Sequence, residues 1–260
     1  MSVVRYELSD GVATITLDRP EALNALTVEL KVALLEAVRR AGADEGARAV
    51  LLTGAGRAFC VGQDLKEHVE ALDAGDTDLS TVTDHYNPLI EAIAGLPKPV
   101  VAAVNGPAAG AGASLAFACD IRIAGDDASF LMAFAKVGLG PDSGASWTLP
   151  RLIGTGRAAA MLMLAEPVAA AEALELGLVS MIVPAADLVG TATALAARLA
   201  AGPTAAYAAI KETIAFSASQ PLVESLANEA RAQARCGQTA DHRNAVTAFL
   251  EKRPATFTGH

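Results

Sequence analysis

Cysteine, histidine, aromatic residues and charge are all scarce in this sequence. Among 260 residues there are 3 cysteines, 4 histidines, 4% aromatics and 19% charged side chains. Cys60, Cys119 and Cys236 are widely spaced and form no C-x-x-C pair, so a zinc site or redox dithiol has no support and no metal site is expected. Three such cysteines also make a poor disulfide framework, which suits a reducing compartment. No Gly-Lys-Ser/Thr occurs, which excludes a P-loop. A dinucleotide fingerprint fails as well, because Phe59 follows Gly54-x-Gly56, and Leu115 follows Gly110-x-Gly112, where a third small residue belongs. The net charge of −9 opposes nucleic-acid binding, which depends on phosphate neutralisation. The first residues, MSVVRYELSDGVATITLD, alternate and carry charges, unlike the unbroken apolar run of a signal peptide, so a cytoplasmic location is expected. Pro99–Cys119 carries no charge, but Asn105-Gly106-Pro107 breaks it. It reads as a buried strand and a glycine-rich turn, and no membrane contact is expected.

What is abundant is apolar surface, at 52% of residues, and glycine, at 22. Alternating runs Val3–Leu8 and Val12–Leu17 around Ser9-Asp10-Gly11 predict a hairpin. Leu30, Leu34 and Val38 form one stripe of a helix over Thr27–Ala41, with Thr27 as its cap. Buried strands are predicted at Arg48–Thr53, Val100–Val104, Ile121–Ala124 and Val179–Val183. The polar segment from Asp64 to about His85 reads as a loop or frayed helix, and His68 and His85 within it as solvated. A short helix is expected near Asn87–Leu96 and a tightly packed one over Gly110–Ala118. Further helices are expected at 158–165, 169–176, 185–201, 204–216 and 221–252. Strand–helix alternation followed by helices predicts an α/β fold with parallel pairing. The division is a catalytic core over 1–200 and a helical region over 201–260.

Three glycine-rich breaks lie where strands end: Thr53–Leu65, Asn105–Ser114 and Gly138–Gly144. Glycine there either serves tight turns and close helix packing or lets a ligand reach backbone N–H groups. Two such chain turns aimed at one point would stabilise a developing oxyanion. Gly112-Ala113-Ser114-Leu115-Ala116 is close to a serine nucleophile elbow, but the only later histidines are His242 and the final His260. Cys60, beside Phe59, reads as a core residue.

Together these segments resemble the enoyl-CoA hydratase/isomerase (crotonase) superfamily over essentially the whole chain. The resemblance is carried by Leu17-Asp18-Arg19-Pro20-Glu21-Ala22-Leu23-Asn24-Ala25-Leu26, Arg57–Leu65, Lys98–Ser114 and Ala248-Phe249-Leu250-Glu251-Lys252-Arg253. Within it the chain is most similar to the isomerases of ring-1,2-epoxidised phenylacetyl-CoA. That narrower likeness rests on Phe59–Leu65, Tyr86-Asn87-Pro88-Leu89, Met132-Ala133-Phe134, Gly140-Pro141-Asp142-Ser143-Gly144 with Trp147, and Phe257-Thr258-Gly259.

The resemblance implies a ββα spiral core and helical C-terminal trimerisation, as a trimer or a dimer of trimers. It implies an acyl-CoA thioester substrate, with coenzyme A part of that substrate and no separate cofactor. It places the oxyanion-hole N–H groups at Gln63 and Ala111, next to Gly62 and Gly110, and puts Phe134 beside the acyl group. For coenzyme A it points to Ala22, Lys66, Phe249 and Lys252, the last two possibly from a neighbouring subunit. The two glutamates of family hydratases fall here on Ser114 and Phe134, neither of which replaces a carboxylate. The remaining carboxylate is Asp142, with burial near Phe134 and Trp147 expected to raise its pKa. One carboxylate suffices for a proton shuttle. The expected activity is therefore an acyl-CoA isomerase working through a thioester enolate, on epoxyphenylacetyl-CoA or a 3-enoyl-CoA. A 2-enoyl-CoA hydratase and a non-catalytic acyl-CoA-binding subunit are the alternatives. For Asp142 the competing reading is a turn residue that caps the next helix.

Overall fold

A computed structural model describes residues 2–75 and 77–260. The predicted hairpin forms as β1 (Val4–Ser9) and β2 (Val12–Leu17), joined through Asp10 and Gly11, both at positive φ. Parallel to β2 run β3 (Ala49–Gly54), β4 (Val100–Val104), β6 (Ile121–Gly125) and β9 (Met181–Val183), giving the order β1-β2-β3-β4-β6-β9. A smaller sheet holds β5 (Pro107–Ala109), β7 (Ser129–Leu131) and β8 (Val168–Ala169) in the order β5-β7-β8. The chain thus leaves β4 and enters the second sheet within three residues, which is where the second glycine-rich break falls.

Both faces of the large sheet are covered, so its central strands are continuously apolar. Val50, Leu52, Ala102 and Val104 face a core built with helices Val28–Ala43, Asn87–Ala94 and Ala111–Ala118. Their neighbours Ala49, Leu51, Val101 and Ala103 face helix Leu188–Ala200. Thr27 caps the first of these helices by accepting from the Leu30 N–H, as its position predicted.

Two sequence expectations need correction. Much of the segment after Asp64 is ordered: Leu65–Asp73 is a helix, capped by the Asp64 carboxylate accepting from Lys66 N and Glu67 N. A π-helical turn, Val82–Tyr86, then leads into the next helix; Asp76 lies outside the described residues. The expected single helix over 221–252 is two, Leu222–Gly237 and Ala240–Leu250. Gly237 ends the first, and the Thr239 hydroxyl restarts the second by accepting from His242 N.

The C-terminal region is tied down by an ion pair and partly buried hydrogen bonds. Lys211, on helix Thr204–Ser217, reaches the Asp120 carboxylate at 2.7 Å and the Lys98 carbonyl at 3.1 Å. Arg48, at the start of β3, donates to Phe257 O at 3.0 Å and Thr204 Oγ1 at 3.1 Å. Buried Asp241 accepts from the backbone of Thr258 and Gly259. Phe257-Thr258-Gly259 therefore anchors the tail.

Candidate active site

The block at 17–26 proves to be a bracket for the first glycine-rich break. Asn24 is fully buried, and its amide donates to Ala58 O at 2.8 Å, Ala55 O at 3.0 Å and Phe59 O at 3.2 Å. Arg19 donates to the Asp64 carboxylate at 3.0 Å, so its charge is spent on the loop rather than held free. Leu26 N donates to Gly62 O at 2.8 Å, and Asp64 N to Leu26 O at 3.1 Å. A peptide is planar, with its C=O and N–H opposed. Fixing Gly62 O on Leu26 therefore turns the Gln63 N–H away from Leu26. The same logic holds at Ala111, the first residue of its helix. Gly110 O accepts from Ser114 N at 3.0 Å along the helix, so the Ala111 N–H points back out of the helix N-terminus. Among the described residues neither N–H has an acceptor.

These two peptides meet. A Cβ on Gly62, which sits at φ +88°, would lie 2.8 Å from Ala109 O and 3.5 Å from Ala111 N. Only glycine fits that approach and that φ together. Gly112 serves close packing instead, since a Cβ there would lie 2.1 Å from Cys60 O. Both glycines thus serve close backbone approach, and Gly62 also lines a cavity.

Gly62, Gln63, Gly110, Ala111, Phe134 and Asp142 all line one cavity of about 220 Å³. Its remaining wall is largely apolar, with Val61, Leu79, Val82 and Leu139, and His68 is half-buried against it. Asp142 is the only carboxylate lining it among the described residues. Helix Ala145–Ile153 begins at Gly144 with no side-chain cap, so Asp142 is not a capping residue. Ser143 and Gly144, at φ +50° and +72°, turn the chain sharply just before that helix. Buried Ser143 donates to Asp142 Oδ1 at 2.8 Å. Burial pushes the Asp142 carboxyl above its ordinary range, with the Ser143 hydroxyl and the Lys31 charge pulling it back. Trp147 has no part in this, contrary to expectation. It is 48% exposed and lines a different, larger cavity of about 560 Å³ under helix Thr204–Ser217.

Ser114 is fully buried and outside the cavity, its hydroxyl donating to Gly110 O at 3.1 Å, which removes the serine-nucleophile reading. Cys60 is likewise a core residue: it is fully buried, its thiol is pushed up to about 12, and it donates to Asn24 O. Ala22, Lys66, Phe249 and Lys252 do not line the cavity. Lys66 is exposed on helix Leu65–Asp73, and Phe249 is 82% exposed on the last helix. Two further residues belong to the site: Tyr86, quoted above within a motif but given no role, lines the cavity, and Lys31 lies just behind it. Lys31 lies on the inward stripe of its helix, beside Leu30 and three residues before Leu34, and a lysine there was the available signal.

A family model described as Enoyl-CoA hydratase/isomerase matches residues 7–260. An Escherichia coli 1,2-epoxyphenylacetyl-CoA isomerase is 43% identical over 100% of this chain and 99% of its own. A Rhodobacter capsulatus protein described as "Probable enoyl-CoA hydratase" is 50% identical over 98% of each chain. The crystal structure of a Mycobacterium abscessus protein, named for the same family, superposes with a TM-score of 0.96. It is 47% identical and covers 99% of this chain and 100% of its own.

Proposed function

Because this chain belongs to the enoyl-CoA hydratase/isomerase family, we propose that it is an acyl-CoA isomerase with Asp142 as its proton shuttle. The observation that carries this reading is that, among the described residues, one carboxylate shares an apolar cavity with two backbone N–H groups that have no acceptor. A thioester carbonyl accepting from Gln63 N and Ala111 N gains charge as its α-proton leaves. Fixed donors in a site that excludes water stabilise that charge strongly. For a 3-enoyl thioester, Asp142 removes a proton from C2 and the electron pair delocalises onto the thioester oxygen. A proton from the same carboxyl, exchangeable with solvent while it is held there, is then delivered to C4, leaving the double bond at C2–C3. No water is consumed, and one carboxylate both takes and gives the proton. In a ring-epoxidised phenylacetyl thioester the same shift moves the α-proton to a ring carbon as the ring opens to an oxepin. The E. coli relative's name supports that aromatic substrate.

The cavity of about 220 Å³ suits the acyl group alone, so coenzyme A lies along the surface outside it. Ala22 and Lys66 are the groups of this chain assigned to it there. Phe249 and Lys252 reach it from a neighbouring copy in a trimer or hexamer built by the 201–260 region, with the core over 1–200. A cytoplasmic location completes the proposal, and no helix among the described residues is long and apolar enough to cross a membrane.

The R. capsulatus relative's name favours a second reading, hydration of a 2-enoyl-CoA. Orienting water across a double bond by the family route takes two carboxylates, and Phe134 and Ser114 supply none. Incubation with 3-hexenoyl-CoA and crotonyl-CoA separates the two. Conjugation of the first without water addition to the second is expected. Rapid hydration of crotonyl-CoA would overturn the isomerase reading.

A further inference from the structure

Lys31 is fully buried in the second layer of the site, behind the cavity wall. An ammonium taken out of water is expensive unless its donors are matched, and an apolar side chain of similar length would fill the same space without that cost. Its contacts all join elements of the site. Lys31 Nζ donates to Gln63 Oε1 at 3.1 Å and to the Thr81 hydroxyl, and lies 4.8 Å from the centroid of the Tyr86 ring. Tyr86 OH donates to the same Gln63 oxygen at 2.5 Å. Glu67, on the helix following the oxyanion loop, stands 3.9 Å from the ammonium. Gln63 is thus held from two sides through its side chain, while its N–H faces the cavity. Thr81, Val82 and Tyr86 line the same cavity from the segment that leads into helix Asn87–Ala94.

We propose that Lys31 is a positioning residue of this site: its ammonium, with Tyr86, pins the Gln63 side chain to the Thr81–Tyr86 wall. This fixes the oxyanion-hole loop at one distance from the acyl-facing surface. The inference rests on the oxyanion-hole reading given above. Its charge also acts on Asp142, lowering a carboxyl that burial raises. Removing it therefore disturbs both ends of the proton transfer.

The test is the ¹³C shift of the thioester carbonyl in bound, carbonyl-labelled butyryl-CoA, alongside kcat and KM for 3-hexenoyl-CoA. The parent is expected to move the carbonyl downfield on binding. In Lys31→Met at least about half of that displacement is lost. kcat falls about tenfold with KM within about threefold, short of the about hundredfold loss typical of deleting an oxyanion donor. Unchanged displacement and kcat in a folded Lys31→Met protein would overturn the proposal while leaving the oxyanion hole standing. No displacement in the parent would remove the oxyanion hole itself, and this proposal with it. Should Lys31→Met fail to fold, Tyr86→Phe removes the other donor to the same oxygen and must give the same pattern.

Discussion

The proposed chemistry rests on Asp142, and the environment of that residue makes a signed prediction. Burial raises its pKa, and activity needs the ionised form. The acid limb of kcat/KM should therefore fall at a pH above the ordinary carboxylate midpoint of about 3.9, read from a pH–rate profile. The stability consequence runs the other way. A carboxyl whose folded pKa is raised contributes fully below its unfolded pKa, and that contribution is lost as pH rises through the folded value. At pH 7 Asp142→Asn should then unfold at or above the parent's Tm by calorimetry, even as kcat falls by about a hundred- to ten-thousandfold. Gly62→Ala fails differently. Its Cβ would sit 2.8 Å from Ala109 O at a φ that disfavours a side chain, so the Gln63 N–H must shift. A loss of about a hundredfold or more in kcat is expected, with Tm also lowered. At this scale the short motifs that carry Asp142, Gln63 and Ala111 were legible in the sequence, and the structure brings the three to one cavity. The meeting of Lys31 and Tyr86 on the Gln63 side chain was not, because it joins three distant segments and spacing records only neighbours along the chain. Trp147 shows the converse, being near Asp142 in sequence and turned into another cavity.

Among elements, the long strands and the helices with an apolar stripe were legible, since periodicity is set by the face they bury. The two- and three-residue strands of the second sheet were not. They are too short to show a period and depend on pairing with one another. Helix Leu65–Asp73 was left open between loop and frayed helix because no residue in it is buried, which leaves only the Asp64 cap to mark it. The bracket at 17–26 also escaped sequence reading, although its residues were visible as a motif. Asn24 holds three carbonyls of the oxyanion loop without touching the cavity. Asn24→Ala leaves those buried acceptors short of donors, and urea unfolding should show a loss of about 2–4 kcal/mol. A companion Arg48→Met variant should release the tail, seen as faster proteolysis after Ala255, with the core's midpoint little changed.

For the whole molecule, the final third exposes apolar side chains that a single chain leaves uncovered. Leu222 is 73%, Phe249 82% and Leu250 75% exposed, beyond the scattered exposure normal for a monomer. In solution the protein should have the mass of three or six chains by light scattering. Phe249→Asp with Leu250→Asp should shift it to smaller species and raise KM for acyl-CoA more than it lowers kcat. The central claim remains that one carboxylate moves one proton along a thioester enolate. Mass-spectrometric deuterium uptake from heavy water during turnover of 3-hexenoyl-CoA tests it most directly, with the parent and Asp142→Asn compared at matched acyl-CoA occupancy. Double-bond migration and label incorporation that both vanish in Asp142→Asn are what this account predicts. Migration at parental rate in Asp142→Asn, or label arriving only with added water, would contradict it.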